Sequence, residues 1–262
     1  MSQENLEYLK NQLRFTGFGE GLFDSLAKNM DEKKPLFQLA VTHELDGQPL
    51  SAVLHFSCSS AGNYFFNRYD ASLDTAHGKR EHPFYIHRNA KLNISFREAG
   101  NLLSGRALKA AYVKQSDRAA FEKGEEVPIH KVWMQLDLKS PGTNGRYRIT
   151  RYYSNYGYEI EPALERVHLK EQIFSDQLAQ LISQLEAGNR CRVQLHKAEG
   201  ATQIVLLEAC PMFRSFLMFD LEGKALYVPK MKEAKEIPVE VKEMEKVDEQ
   251  KTIKKRKRIA IA

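Results

Sequence analysis

Residues 181–220, LISQLEAGNRCRVQLHKAEGATQIVLLEACPMFRSFLMFD, contain the order of elements that decides the fold. They predict the end of a helix, two strands joined by a hairpin, and a third, aromatic strand that ends at Asp220. Apolar and polar residues alternate along these strands, which is the pattern of a half-buried antiparallel sheet. The stretch therefore predicts a helix followed by a three-stranded meander.

The same order of elements is found near the N-terminus, in LAKNMDEKKPLFQLAVTHELDGQPLSAVLHFSCSSAGNYFFNRYD, residues 26–70. Asp46 and Gly47 lie between two of its strands, and an Asp-Gly dipeptide favours the positive φ angles of a tight hairpin. The chain is therefore predicted to contain two copies of one helix-plus-meander unit, residues 22–70 and 177–220. The alternative is that two meanders resemble each other because antiparallel topologies are few.

Between the two units lies a middle segment, residues 80–170. Its run FREAGNLLSGRAL, residues 96–108, has apolar residues at helical spacing, and KVWMQLDLK alternates as a strand with Trp133 on the polar side. Residues 74–82 are polar and predict a loop, and residues 82–87 predict a short strand. Residues 114–130 have no hydrophobic period and predict an exposed insertion.

Residues 1–229 are predicted to form one α+β body, in which short helices pack on one face of antiparallel sheets. Residues 230–262 differ in composition, because Lys and Glu alternate there and apolar residues are few. They contain 11 Lys or Arg and 7 Asp or Glu, so their net charge is +4 of the +5 of the whole chain. Such a composition predicts a disordered tail that carries most of the positive charge.

Length and composition exclude several classes of protein. The chain has 262 residues, enough for a sizeable core. No apolar run approaches the roughly 20 residues of a membrane span, and the N-terminus lacks the apolar segment of a secretory signal. Three widely spaced cysteines, Cys58, Cys191 and Cys210, fit neither a disulfide framework nor a zinc site. We therefore expect a cytoplasmic protein without a membrane partner.

Recognised catalytic motifs are absent from the sequence, which has no nucleophile elbow, Walker loop or zincin motif. The histidines show no metal-ligand spacing; they are His43, His55, His77, His82, His87, His130, His168 and His196. Asp70 and Asp220 hold equivalent places in the two units, which would suit a symmetric acid pair. The simpler interpretation is that each begins a turn after its strand. No catalytic residue, metal or cofactor is predicted.

The most unusual segment is GRYRITRYYSNYGYE, residues 145–159, in which arginines and tyrosines interleave. Its first residues are predicted to return alongside KVWMQLDLK, so we call it the Arg/Tyr hairpin. The candidate binding residues are Arg146, Arg148, Arg151, Tyr147, Tyr152 and Tyr153. Guanidinium groups bind phosphates and aromatic faces stack on bases, so the composition is typical of a surface for single-stranded nucleic acid. The alternative is an ordinary strand, since Tyr is a good strand former and alternating Arg makes a solvated face.

A second basic segment, KTIKKRKR, lies in the tail at residues 251–258. Its candidate residues are Lys254, Lys255, Arg256, Lys257 and Arg258. Contacts between such residues and phosphates release counterions, so this arm would bind DNA or RNA in a salt-dependent way. A tail that serves only solubility is the alternative.

Several runs resemble an uncharacterised family encoded in Bacteroidetes-type genomes, often on conjugative or mobilisable elements. These runs are FREAGNLLSGRALKA, VWMQLDLK, NYGYEIEPALERV and LEAGN followed by EACPMFRSFLMFD. The resemblance covers most of residues 5–225 and is closest at Ser104-Gly105-Arg106, after a leucine pair, and at ACPMFRSFLMFD. It implies a genomic setting, and it assigns no activity and no site residue.

Together these features favour a non-enzymatic accessory protein of a mobile element, which binds nucleic acid through the Arg/Tyr hairpin and the basic tail. A protein–protein adaptor is the second hypothesis, because edge strands of the two meanders can accept a strand from a partner. The third is an enzyme, which would need several histidines and Asp70 or Asp220 to converge in one cleft.

Overall fold

In the computed structural model the described residues are 3–140, 142, 146–167, 175–196 and 201–228. Within them the helices are α1 (Gln3–Phe15), α2 (Phe23–Asp31), α3 (Phe96–Ser104), α4 (Arg118–Glu122), α5 (Ile160–Glu165) and α6 (Ser175–Glu186). The strands are β1 (Leu36–Leu45), β2 (Gln48–Cys58), β3 (Tyr64–Thr75), β4 (Gly78–Tyr85), β5 (Leu108–Tyr112), β6 (His130–Asp137), β7 (Arg148–Tyr152), β8 (Cys191–His196), β9 (Thr202–Cys210), β10 (Ser215–Phe219) and β11 (Ala225–Tyr227). They form three antiparallel sheets, so the predicted α+β class is confirmed.

Strands β1 to β4 follow one another in a simple antiparallel meander. Their inward side chains pack with α1, α2 and α3 into a core whose centre is aromatic. The ring of Phe18 stacks on Phe96 at a centroid distance of 4.9 Å and meets the ring of Tyr69 edge-on at 5.0 Å. Asp46 and Gly47 have φ angles of 52° and 78°, as in a type I′ turn. The predicted Asp-Gly hairpin is therefore confirmed.

Strands β5, β6 and β7 form a middle sheet that is covered on both faces. Val132 and Met134 of β6 belong to the first hydrophobic core, whereas Trp133, between them, belongs to a second core. The predicted polar position of Trp133 is wrong, because the C-terminal part of the chain covers that face and leaves the side chain 3% exposed. The middle sheet therefore separates two cores.

Strands β8 to β11 form a second meander, which packs with α5 and α6. Leu207 of β9 and Phe216 of β10 are fully buried in its core. The fourth strand, β11, continues the sheet beyond the predicted end at Asp220. The C-terminal helix and three-stranded meander that the sequence predicts are thus present, with one strand more.

The predicted loop at residues 74–82 is wrong, because β3 and β4 form a hairpin there. Two inward positions of β4 are held by the polar residues Arg80 and His82, so the sequence shows no alternation. Each of these side chains has a backbone partner. Arg80 donates to the Leu103 carbonyl at 2.9 Å, and His82 Nδ1 accepts the Tyr147 N–H at 3.3 Å.

The predicted helical run at residues 96–108 is helical only as far as Ser104. Gly105 has a φ of 95°, and a left-handed residue of this kind ends a helix. The residues that follow form β5 instead. At the other end, Ser95 accepts the Glu98 N–H and the Glu98 carboxylate accepts the Ser95 N–H, which is a capping box.

The two predicted repeats, residues 22–70 and 177–220, each contain a helix and a meander. The first sheet includes β4, so the predicted middle segment, residues 80–170, begins inside that sheet. The first three strands have 10, 11 and 12 residues in one unit and 6, 9 and 5 in the other. Duplication stays a prediction.

Two further segments were predicted to lie outside the core. Residues 114–130 are confirmed as exposed, since none of them is buried, although α4 forms among them. Residues 230–262, the predicted charged tail, lie outside the described residues. In the part of the chain that the structure describes, no helix is long and apolar enough to cross a membrane.

A buried polar network joins α3 to the second meander. Asn101 donates to the Ala187 carbonyl at 2.9 Å and to Asn189 Oδ1 at 3.0 Å. Arg106 donates to Asn101 Oδ1 at 2.8 Å, and its guanidinium lies 3.4 Å from the Glu208 carboxylate. All five residues belong to runs on which the predicted family resemblance rests, and the structure gives them a structural role at this junction.

Candidate nucleic-acid interface

The outward face of the β1–β4 sheet is uncovered within the described part of the chain. At the end of the sheet where β1 begins, the register places two rows of side chains across this face. The first row is Leu36, Ser57 and Phe65. The second row is Gln38, His55, Arg68 and Tyr85. This end of the sheet therefore combines apolar, aromatic and basic side chains in one exposed area.

Two aromatic rings stand out on this face. Phe65 is 42% exposed and Tyr85 is 50% exposed, although large aromatic side chains are usually buried. Arg68 is the register neighbour of Tyr85, and the guanidinium of Arg146 lies over the Tyr85 ring, 5.9 Å from its centroid. We call Phe65, Arg68, Tyr85 and Arg146 the sheet-face cluster.

The sequence of β3 explains why Phe65 and Arg68 point outward. Consecutive aromatic residues in a strand point to opposite faces, so Phe65 points outward while Tyr64 and Phe66 are buried. The register then shifts, since His55 pairs with Arg68 whereas Phe56 pairs with Phe66. Asn67 is the extra residue of this bulge. In a regular ladder Asn67 would pair with His55, and Arg68 would point into the core.

A hydrogen-bonded group holds Arg68 in place. Asp70 Oδ2 accepts a bond from Arg68 Nη2 at 3.2 Å and lies 2.6 Å from His55 Nε2. Gln38 Nε2 lies 3.2 Å from His55 Nδ1. Both ring nitrogens of His55 are thus engaged, and Asp70 offsets part of the charge of Arg68.

The predicted turn role of Asp70 is wrong, because β3 continues to Thr75 and Asp70 lies in the middle of it. Asp220 does form a turn, as predicted, since its Oδ1 accepts the N–H groups of Glu222 at 3.0 Å and Lys224 at 2.8 Å. Asp70 lies in the first sheet, whereas Asp220 lies in the turn between β10 and β11. They do not form an acid pair.

The structure separates the residues of the predicted Arg/Tyr hairpin. Arg148 and Arg151 are both exposed, but an odd number of steps between them places them on opposite faces of β7. Tyr152 is buried in the second core, and burial raises its pKa to about 12. Tyr153 is 46% exposed and meets the Tyr112 ring edge-on at 5.5 Å. The predicted residues of β7 therefore do not share one surface.

Arg146 and Tyr147 instead pack against the first sheet. Tyr147 contacts the first core, and its ring stacks on His82 at a centroid distance of 6.3 Å. Burial lowers the pKa of His82 to about 4, and the nearby Arg146 charge acts in the same direction. A neutral His82 can accept the Tyr147 N–H, and this bond holds Arg146 beside Tyr85.

The remaining predicted binding residues lie in the tail. Lys254, Lys255, Arg256, Lys257 and Arg258 lie outside the described residues, as does His168. Among the described residues, no group of three or more His, Cys, Asp or Glu side chains is placed to hold a metal ion.

Comparison with protein-family models gives no match to the chain, and neither a curated protein nor a solved structure matches it. The resemblance to proteins of mobile elements stays a prediction.

Three members of the sheet-face cluster, Phe65, Arg68 and Tyr85, were not predicted from the sequence. The run Tyr64-Phe65-Phe66 did contain a signal, because three consecutive aromatic residues in a strand cannot all face the core. Arg68 gave no such signal, since its outward direction depends on the bulge at Asn67.

Proposed function

We propose that the protein is a non-enzymatic accessory protein that binds single-stranded nucleic acid on the outward face of the β1–β4 sheet. The observation that supports this most is the sheet-face cluster, in which two exposed aromatic rings lie beside two arginines. Phe65 lies on β3, in the row next to that of Tyr85 on β4. Two successive bases can stack on rings placed in this way.

The arginines supply the contacts to the backbone of the nucleic acid. A guanidinium group binds phosphate oxygens through charge-assisted hydrogen bonds, and Arg68 and Arg146 flank the Tyr85 ring. Further along the same face the residues are small, as at Ala40, Thr42 and Ser51, so a nucleic-acid strand can approach the sheet closely. Unpaired bases have free faces for stacking, which favours single strands over duplexes.

The basic tail adds attraction that does not depend on sequence. Residues 1–229 carry a net charge of only +1, whereas residues 230–262 carry +4. In this proposal Lys254 to Arg258 contact phosphates, and the salt dependence of binding comes mostly from them. A place on a mobile element, where single-stranded DNA intermediates occur during transfer, fits such a binding protein.

The experiment is a fluorescence-anisotropy titration of the full chain with a labelled 12-nucleotide oligothymidylate at 50 and 200 mM NaCl. Stacking contributes about 1–3 kcal/mol per base, so Phe65→Ala and Tyr85→Ala should each weaken binding about tenfold or more. Phe15→Ala is the matched control, because Phe15 is 78% exposed on α1, which packs against the inward face. Its affinity should equal that of the natural chain.

Variants of the other predicted surfaces separate the possible sites. Replacement of Tyr153 by Ala should leave the affinity unchanged, and neutralisation of Lys254 to Arg258 should reduce mainly the salt dependence. The proposal fails if the natural chain does not bind at 50 mM NaCl, or if binding is unchanged when Phe65 and Tyr85 are both replaced by Ala.

A further inference from the structure

Within the described residues, the first sheet has one free edge, formed by β1. Leu45 of β1 pairs with Gln48 of β2 across a two-residue turn. The two residues that flank such a turn form a hydrogen-bonded pair. Hydrogen-bonded and non-bonded pairs alternate in an antiparallel ladder. The backbone groups that point away from β2 therefore belong to Leu36, Gln38, Ala40, Thr42 and Glu44. Among the described residues, none of these backbone groups has a hydrogen-bond partner.

The opposite edge of the same sheet is protected. β4 carries Lys79, Glu81 and Pro83, and its residue His82 is bonded to Tyr147 of the segment before β7. Charges, proline and covering segments are the usual means by which proteins prevent edge strands from pairing. β1 has ten residues, LFQLAVTHEL, with no Lys, Arg or Pro and no shift of register. It is thus an open edge in a sheet whose other edge is closed.

We propose that β1 pairs antiparallel with β1 of a second copy of this chain, about a two-fold axis at Ala40. Facing residues in a continuous sheet lie on the same face, so outward-pointing residues must pair with each other. With the axis at Ala40, all five residues whose backbone groups point away from β2 are paired. The pairs are Ala40 with Ala40, Gln38 with Thr42, and Leu36 with Glu44.

Charge favours a second copy as the occupant of this edge. Lys33 lies just before β1 and Glu44 lies near its end, and both side chains are exposed. Lys34 is already paired with Glu32 at 2.7 Å. The antiparallel two-fold arrangement places Lys33 of one copy towards the end of β1 at which Glu44 of the other copy lies. It also meets the rule that symmetric dimers use one self-complementary patch.

Packing at the inner side of β1 supports the same register. His43 points inward and its ring lies 5.3 Å from Phe96, yet the side chain is exposed at the rim of the first core. With the axis at Ala40, Phe37 of the second copy lies opposite His43, and Leu39 lies opposite Val41. The dimer therefore covers apolar surface that the edge leaves open.

The test is sedimentation equilibrium of the full chain from about 1 to 200 μM, in which the natural chain should shift from 30.1 kDa towards twice that mass. Ala40→Pro removes the outward N–H at the axis and no bond to β2, so the dimer dissociation constant should rise at least tenfold. Thr42→Val keeps every backbone group and is the control. A natural chain that stays monomeric over this range would overturn the proposal.

Disulfide trapping tests the register, and it also serves if Ala40→Pro impairs folding. The α-carbons of a hydrogen-bonded antiparallel pair are about 5.5 Å apart, which suits a disulfide. Ala40→Cys should therefore cross-link two copies under mild oxidation. Gln38→Cys should not, since the two copies of residue 38 would be about 14 Å apart. Equal cross-linking of the two variants contradicts the proposed axis.

Discussion

His82 and Arg80 are two polar residues that occupy inward positions of β4, and each is stabilised by one backbone bond. The bond from the Tyr147 N–H to His82 also positions Arg146, because Arg146 directly precedes Tyr147. The imidazole must be neutral to accept there, and burial keeps it so by lowering its pKa to about 4. One buried histidine thus determines the position of a guanidinium group at the surface.

The first prediction concerns the pH dependence of stability. His82 has a pKa of about 4 in the folded chain and about 6.5 when unfolded. The contribution of neutral His82 to the free energy of unfolding is therefore complete above pH 6.5. It is lost as the pH falls towards 4, which lowers the free energy of unfolding by roughly 2–3 kcal/mol. The pKa of His87 is also lowered by burial and acts in the same direction. Urea unfolding at pH 7.5, 5.5 and 4.5 measures this loss.

Matched variants identify the histidine responsible. His82→Asn keeps an acceptor for the Tyr147 N–H and cannot be protonated, so its free energy of unfolding should depend less on pH. His77 lies exposed in the β3–β4 turn, and His77→Asn should behave like the natural chain. If His82→Asn has the same pH dependence as the natural chain, His82 does not titrate as described.

At the scale of elements, the sequence predicted those with regular patterns. The helices and the hairpins of both meanders are present because their apolar residues follow one period and their turns contain Gly or Asp. Only the end of β4 was predicted, because Arg80 and His82 break the alternation of its first half. β5 was missed because the helical pattern continues beyond Gly105, and only the left-handed φ of that glycine ends the helix.

A second prediction concerns the turn between α6 and β8. Gly188 has a φ of +76°, and a Cβ there would lie 3.0 Å from the Ala107 carbonyl oxygen. Gly188→Ala should therefore lower the free energy of unfolding by about 2–3 kcal/mol, from left-handed strain and this contact together. Gly124 has a φ of +86° with no atom within 4 Å of such a Cβ. Gly124→Ala should cost about 1–2 kcal/mol, the strain alone.

The measurement for both variants is urea unfolding at pH 7.5. The difference between them isolates the close approach of the α6–β8 turn to the middle sheet. Equal destabilisation by the two variants would mean that the turn accommodates the extra methyl group with no cost beyond backbone strain.

At the scale of the whole molecule, the two meanders and the middle sheet form two cores, and their arrangement was not visible in the sequence. Trp133 of the middle sheet and Phe216 of the second meander belong to the same core, and packing partners so distant in sequence leave no local pattern. The same holds for the candidate interface. The sequence pointed to Arg146 correctly as a surface arginine, but its aromatic neighbour is Tyr85 of another sheet.

The most direct test of the central claim is where nucleic acid contacts the full chain. Amide chemical shifts of the ¹⁵N-labelled protein, titrated with the 12-nucleotide oligothymidylate, report this residue by residue. The largest changes are predicted at Phe65, Arg68, Tyr85 and Arg146, with smaller, salt-sensitive changes at residues 251–258. Changes confined to residues 148–153 or to the tail, with none at Phe65 and Tyr85, would contradict binding on the sheet face.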